Sequence, residues 1–474
     1  MSIFRSPWAT SSASTSGRAE PVSLRLSLRG TLKRSARLAG RRIWGATGDV
    51  PLADLATGTS LDGALPTLAG RSVLLRVSDP LFAAVALVEL EGVARRVVLA
   101  PPDLEDAALP GVIAAAGIEA AVSDGDDTVA ALPTHRLALP VQFLDSAAPE
   151  PIATEWVMFT SGTSGPPKMV IHSLEALTGA IKPPATGAPS PVWGTFYDIR
   201  RYGGLQILLR ALFGEGSLAI TAPTESMPAF LTRLARTGVT HLTGTPSHWR
   251  RALMTPESAA LAPAYVRLSG EIADQAVLDA LKARFPSVPV GHAYASTEAG
   301  VGFEVNDGLA GFPAAYVGRA GEVELRVAGG ALQLRSARAA AGYVDGRGLA
   351  DSDGFVDTGD MVELRADRYH FVGRRGGVIN VGGLKAHPEE IEAVINDHPA
   401  VRMSRVVGRR SPITGQLVAA EVVLADPKAD ETAAKADILA ACRQRLAPFK
   451  VPALLRLVPS LPMTAGGKLE RAVA

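Results

Sequence analysis

A chain of 474 residues with 47% hydrophobic and 20% charged residues has the composition of a globular protein with room for about three domain-sized units. Its formal net charge of +1 supplies no global field for nucleic acid or an anionic membrane surface, so any bound anion must be held locally. The single cysteine, Cys442, excludes an internal disulfide and a cysteine-based metal cluster, and no run reaches the ~18 apolar residues of a membrane span.

Residues 1–45 are rich in Ser and Arg, with Glu20 as their only acid. Leader peptides and disordered arms share that composition. Leu24, Leu26, Leu28 and Leu32, interleaved with Arg25, Arg29 and Lys33, equally suit a basic first element of the fold, so partial disorder, a leader and a folded start all stay open. The expected location is cytoplasmic, and Cys442, on an apolar helical face, reads as core filler.

From Ser72 onward short apolar runs alternate with helical patterns: 73–77, then 81–91, 97–100 and 109–116. The rhythm returns through 218–220, 227–237, 239–243, 265–268, 274–284 and 288–290. This predicts an α/β domain of parallel strands with crossover helices, whose ligand-binding loops follow the carboxyl ends of the strands. Four such loops stand out: 160–168 after the apolar run 155–159, then 243–246, 269–271 and 291–298. From Gly311 short alternating strands predict a small β subdomain, and the glycine-dense 373–377 marks a boundary before a compact α+β unit.

The loop Thr160, Ser161, Gly162, Thr163, Ser164, Gly165, Pro166, Pro167, Lys168 combines hydroxyl donors, glycines that admit an anion to the backbone, and one point charge. It is built to hold phosphate, yet its lysine follows two prolines instead of a Gly-Lys-Ser/Thr ending, so it is not a Walker loop. Ordinary linkers share such a composition.

Further motifs follow in order over residues 155–470: Tyr294-Ala295-Ser296-Thr297-Glu298, the run 353–360 ending in Thr358-Gly359-Asp360, Phe371-Val372-Gly373-Arg374, and Pro462-Met463-Thr464 with Gly466-Gly467-Lys468. Together with the phosphate loop they resemble the adenylate-forming superfamily, whose members include acyl- and aryl-CoA synthetases, luciferases and the adenylation domains of peptide synthetases.

That resemblance implies a large α/β N-terminal domain, 1–375, carrying parallel sheets with flanking helices and a small β subdomain, then a small mobile α+β C-terminal domain, 376–474. It implies that Thr160 to Gly165 and Lys168 cradle phosphates, that Ser269, Gly270 and Glu271 flank adenine, and that Tyr294 lies against the base. Thr297 would meet the α-phosphate, Glu298 would hold Mg²⁺, and Asp360 with Arg374 would bind the ribose. Lys468 would be the catalytic lysine between the substrate carboxylate and the α-phosphate, with Thr297 and Glu298 beside it. The family's hinge falls on Gly376, where Asp or Lys is usual, and Gly382, Gly383 and Lys385 would line a CoA tunnel. Counting back from Gly214 puts Arg201, Tyr202 and Gly203 at the acyl pocket, with Thr245 and His292 beside it.

The expected activity is an ATP- and Mg²⁺-dependent acid:CoA ligation through an acyl-adenylate. The alternatives are loading of a carrier-protein phosphopantetheine or an amine and, from a different class, a non-catalytic nucleotide binder. The expected partners are a small carboxylic acid and CoA or a carrier protein, without nucleic acid or a membrane span. The acid itself, the role of Arg201 and the choice of monomer or homodimer stay open.

Overall fold

The computed structural model describes residues 27–126, 128–143, 150–160, 167–185, 187–412, 414–464 and 468–470. The first element is the helix Leu28–Arg34, capped by Ser27 Oγ on Gly30 N. Leu28 and Leu32 are fully buried, so this basic segment packs as part of the fold.

Two large sheets carry the N-terminal region. One runs Gly342–Tyr343, Met169–His172, Glu155–Phe159, Arg96–Leu99, Ser72–Leu75, Ala120–Ser123, Thr134–Arg136. The other runs Gly300–Val305, Val290–Ser296, Tyr265–Ser269, His241–Gly244, Val192–Thr195, Ser217–Ile220, Arg42–Trp44, Asp49–Pro51. Both are parallel in the middle and antiparallel toward an edge. One apolar cluster joins them, taking Val73, Leu75 and Trp156 from the first and Ile43, Leu218 and Ile220 from the second.

The helix Pro80–Leu90 lies within that cluster and is buried at every residue but Phe82, as a helix apolar all round must be. Its one carboxylate, Glu89, accepts from Thr59 Oγ1, Ser60 N and Ser60 Oγ at 2.6–2.7 Å and faces Arg29, so the buried charge is matched.

One expectation needs correction. The stretch 291–298 is not a loop from its start: Val290–Ser296 is a strand, paired parallel to Tyr265–Ser269 and antiparallel to Gly300–Val305. Tertiary pairing on both edges outweighs the turn-like glycine and histidine, and the turn comes only after Ser296.

A five-stranded antiparallel sheet follows, ending with Val356–Arg365 and Arg368–Arg374. After the short turn Arg375–Gly377 the chain enters a separate sheet built on the long hairpin Val401–Ser411 and Gly415–Leu424, covered by the helices Pro388–Asn396 and Glu431–Arg445. Cys442 is fully buried there, and burial raises its thiol pKa, which suits packing rather than chemistry.

Gly204, early in the helix Tyr202–Phe213, is required by close approach: a Cβ there would stand 2.2 Å from Asp198 O and 2.7 Å from Ile199 Cα. Gly204→Ala is expected to lower the thermal unfolding midpoint, through overpacking of about 1–3 kcal/mol. An unchanged midpoint would show that the preceding turn yields freely.

Candidate functional site

The strands Glu155–Phe159 and Met169–His172 form a hairpin, in register from Phe159 opposite Met169, and Thr160 N donates to Lys168 O at 2.9 Å to close its end. The tip residues Ser161, Gly162, Thr163, Ser164 and Gly165 lie outside the described residues. Lys168 is exposed at the base.

From this hairpin His172 Nε2 donates to Thr297 O at 2.7 Å. Burial pushes the His172 pKa down to about 4, so the imidazole is neutral and its Nε2 carries the proton. Ala340 N donates to Glu298 O and Ala341 N to Ile171 O, so the turn bearing Thr297 and Glu298 is stitched to the hairpin stem. The hairpin stem and the Glu298 turn, from different sheets, thus meet.

A second group forms by strand register. Asp360 and Arg374 are cross-strand neighbours, with Arg374 Nε 3.1 Å from Asp360 Oδ1 and Arg374 Nη2 donating to Thr358 O at 3.1 Å. Tyr294 Oη donates to Asp360 Oδ2 at 2.5 Å, and its ring stacks with Phe371 and Phe303 at 5.2 and 5.6 Å. Burial and the Asp360 charge hold the Tyr294 phenol protonated. Asp360 therefore presents an oriented carboxylate, able to accept two hydroxyls at once.

The third group brings in the C-terminal segment. Leu469 N donates to Glu271 Oε1 at 3.2 Å, while Ser247 N donates to Glu271 Oε2 at 2.9 Å. One carboxylate thereby joins the terminal segment to the first turn of the helix Pro246–Leu253. Lys468 is exposed as a residue, but its ammonium turns inward over Gly270, where a Cβ would stand 3.6 Å from Nζ. Desolvation pulls the Lys468 pKa below the usual lysine value; Glu271 and Asp360 oppose this, and Arg201 and Arg374 add to it. The ammonium therefore senses both Asp360 and Arg374.

The other expected positions have partners of their own. Thr245 caps the helix Pro246–Leu253 in a reciprocal box with His248. Arg201 pairs with Asp103. His292 Nε2 faces Leu309 O at 3.0 Å. None of these three lines the narrow cavity beyond the strand Tyr265–Ser269, whereas Tyr202 and Gly203 do, with Tyr197, Gln206 and Arg267. Gly382, Gly383 and Lys385 lie on the hairpin of Ile379–Val381 and Leu384–Ala386, and Gly376 sits in open space.

Sequence reasoning missed His172, Gln206 and Arg267. Arg267 was within reach, since it precedes Ser269 by two on a strand and so shares its face.

The first two groups are linked through the strand Val290–Ser296 and the turn after it, and the last two through the Lys468 ammonium; comparison with known proteins gives the family. The AMP-binding enzyme family model matches residues 87–334, and that of the AMP-binding enzyme C-terminal domain matches 390–468. The chain belongs to the AMP-binding enzyme family. This AMP-binding enzyme is 28% identical over 335 residues to a 2-succinylbenzoate–CoA ligase of Listeria monocytogenes serotype 4b (strain F2365), covering 66% of this chain and 68% of that one. It is 28% identical over 405 residues to a sulfoacetate–CoA ligase of Cupriavidus necator, covering 79% and 77%. Its fold is shared with a benzoate CoA ligase from Burkholderia xenovorans LB400, at a TM-score of 0.78, 19% identity and coverage of 94% and 99%. Among the described residues no helix is long and apolar enough to cross a membrane.

Proposed function

We propose that this AMP-binding enzyme is an ATP-dependent carboxylic acid:CoA ligase working in two steps. In the first, a carboxylate oxygen attacks the α-phosphorus of ATP and pyrophosphate leaves. In the second, the CoA sulfur attacks the acyl carbon and AMP leaves. The observation that carries this reading is the inward Lys468 ammonium, close enough to Asp360 and Arg374 for each to act on its pKa. An ammonium there can neutralise two approaching anions, the acid and the α-phosphate. Resemblance to the two CoA ligases named above supports a thiol acceptor.

In this reading Asp360 and Arg374 anchor the ribose, Tyr294 orients Asp360, and the hairpin ending at Thr160 and Lys168 presents the phosphate loop. Glu298 is bonded through its backbone beside that hairpin, and one carboxylate plus substrate phosphates is the donor set Mg²⁺ favours. Mg²⁺ held there would offset charge on the phosphates. Glu271 holds the terminal segment closed for the first step.

The lobes divide as 1–375 and 376–474, with the turn Arg375–Gly377 as pivot. Rotation there would bring Gly382, Gly383 and Lys385 to the cleft as the CoA tunnel. The buried single cysteine suits a reducing cytoplasm.

Acid-dependent ATP–pyrophosphate exchange, followed by thioester formation with CoA, tests the activity; no exchange with any acid would refute it. Gly376→Pro is expected to keep exchange and lose thioester formation, because proline fixes φ at the pivot. Equal loss of both steps would place the pivot elsewhere.

A further inference from the structure

The cavity beside the Lys468 site has one feature that binding a plain acid does not use. Arg267 lines it and is 7% exposed, and its guanidinium makes no hydrogen bond to any described residue. Its nearest acid, Glu304, stands 3.5 Å from Nε, keeps 37% of its side chain in solvent and already accepts the Tyr265 hydroxyl. Arg210, whose Nε is likewise buried without a partner, interacts electrostatically with the same pair. Two guanidinium groups thus share one partly solvated carboxylate. Glu304 offsets the desolvation and keeps the Arg267 guanidinium charged, but leaves its Nε without a hydrogen bond, so the group can still take up an anion.

The position of Arg267 says what completes it. It lies two residues before Ser269 on the strand Tyr265–Ser269, roughly 7 Å back along the strand from the end where Gly270 meets Lys468. An acid whose carboxylate reaches Lys468 would point its far end at Arg267. The cavity's free volume is ≈ 30 Å³, so even a compact acid enters only as the lining side chains give way, and a long acyl chain has no room. Gln206 lines the same space, 4% exposed; its Nε2 is committed to Leu177 O and its Oε1 is buried without a donor. A water bound beside an anion would satisfy it.

We propose that the acid activated by this enzyme carries a second anionic group, a carboxylate or sulfonate, on a short or ring-sized spacer, and that Arg267 receives it. This rests on the ligase reading above. Arg267 is then a specificity-determining residue, and the bidentate fork of a guanidinium suits such a group.

The test measures ATP–pyrophosphate exchange with matched acids: succinate, glutarate, benzene-1,3-dicarboxylate and 3-sulfopropanoate, each against the monoamide or methyl-ended acid of the same size. At least one doubly anionic acid is expected to exceed its neutral-ended partner by about tenfold or more in kcat/KM. Arg267→Gln should collapse that ratio, and Arg267→Lys, which keeps a charge, should restore part of it. If Arg267→Gln fails to fold, the wild-type ratios and Arg267→Lys, read as a rise in KM with kcat held, decide the matter. Exchange that favours the neutral-ended acid in every pair overturns this inference and leaves the ligase reading intact, as does a ratio that survives in folded Arg267→Gln. No exchange with any acid overturns both.

Discussion

Lys468→Ala is expected to lower acid-dependent ATP–pyrophosphate exchange by about 10²–10³-fold, the ~2.7–4 kcal/mol seen when one group aimed at developing charge is removed. The ammonium is not a loose surface charge: it turns inward over Gly270, and Leu469 N beside it is held by Glu271. Desolvation, Arg201 and Arg374 already press on it. A cation so placed is attracted to an incoming carboxylate and to the phosphate that carboxylate attacks, most strongly where both charges meet. Thioester formation from a supplied acyl-adenylate should be largely retained, because that step needs no charge between acid and phosphate. A fall in exchange of less than about tenfold, about 1.4 kcal/mol, would remove Lys468 from the reacting centre.

Asp360→Ala should raise the KM for ATP by roughly 30-fold or more, the lower end of the 2–5 kcal/mol expected when one partner of a hydrogen-bonded charge pair is truncated. The lower end applies because the Asp360 side chain keeps 21% exposure. Its carboxylate is held from both sides, by Tyr294 Oη at 2.5 Å and Arg374 Nε at 3.1 Å, so truncation loses the ribose acceptor and strands two neighbours. Asp360→Asn keeps one acceptor oxygen and should lose less. The KM for the acid should stay within about threefold. If acid and ATP weaken together, Asp360 shapes the whole cleft instead of anchoring the nucleotide.

Much of this was legible because motif residues declare their chemistry locally. Asp360 and Arg374 are separated by a hairpin, and hairpin register alone makes them neighbours. The helix Leu109–Ala116 emerges with the limits its apolar pattern implies. What was not legible depends on pairing between distant segments. Val290–Ser296 looked like the start of a loop because nothing local announces that Gly300–Val305 folds back on it. His172 is a lone histidine in a strand, and its partner is a carbonyl 125 residues away. Arg267 sits inside its strand rather than beyond the end, and nothing local shows that it faces a cavity assembled from distant segments. Arg201 was assigned by counting alone, which could not show that it pairs with Asp103 while still acting on the Lys468 ammonium.

The link from His172 to Thr297 has a mechanical result. It ties a strand of one large sheet to the turn ending a strand of the other, through an Nε2–H that the neutral imidazole already carries. The two sheets are thereby joined at this turn as well as through their shared apolar cluster. The ligase reading leaves travel to the segment beyond Gly377, and a turnover limit set by that travel would respond to solvent viscosity.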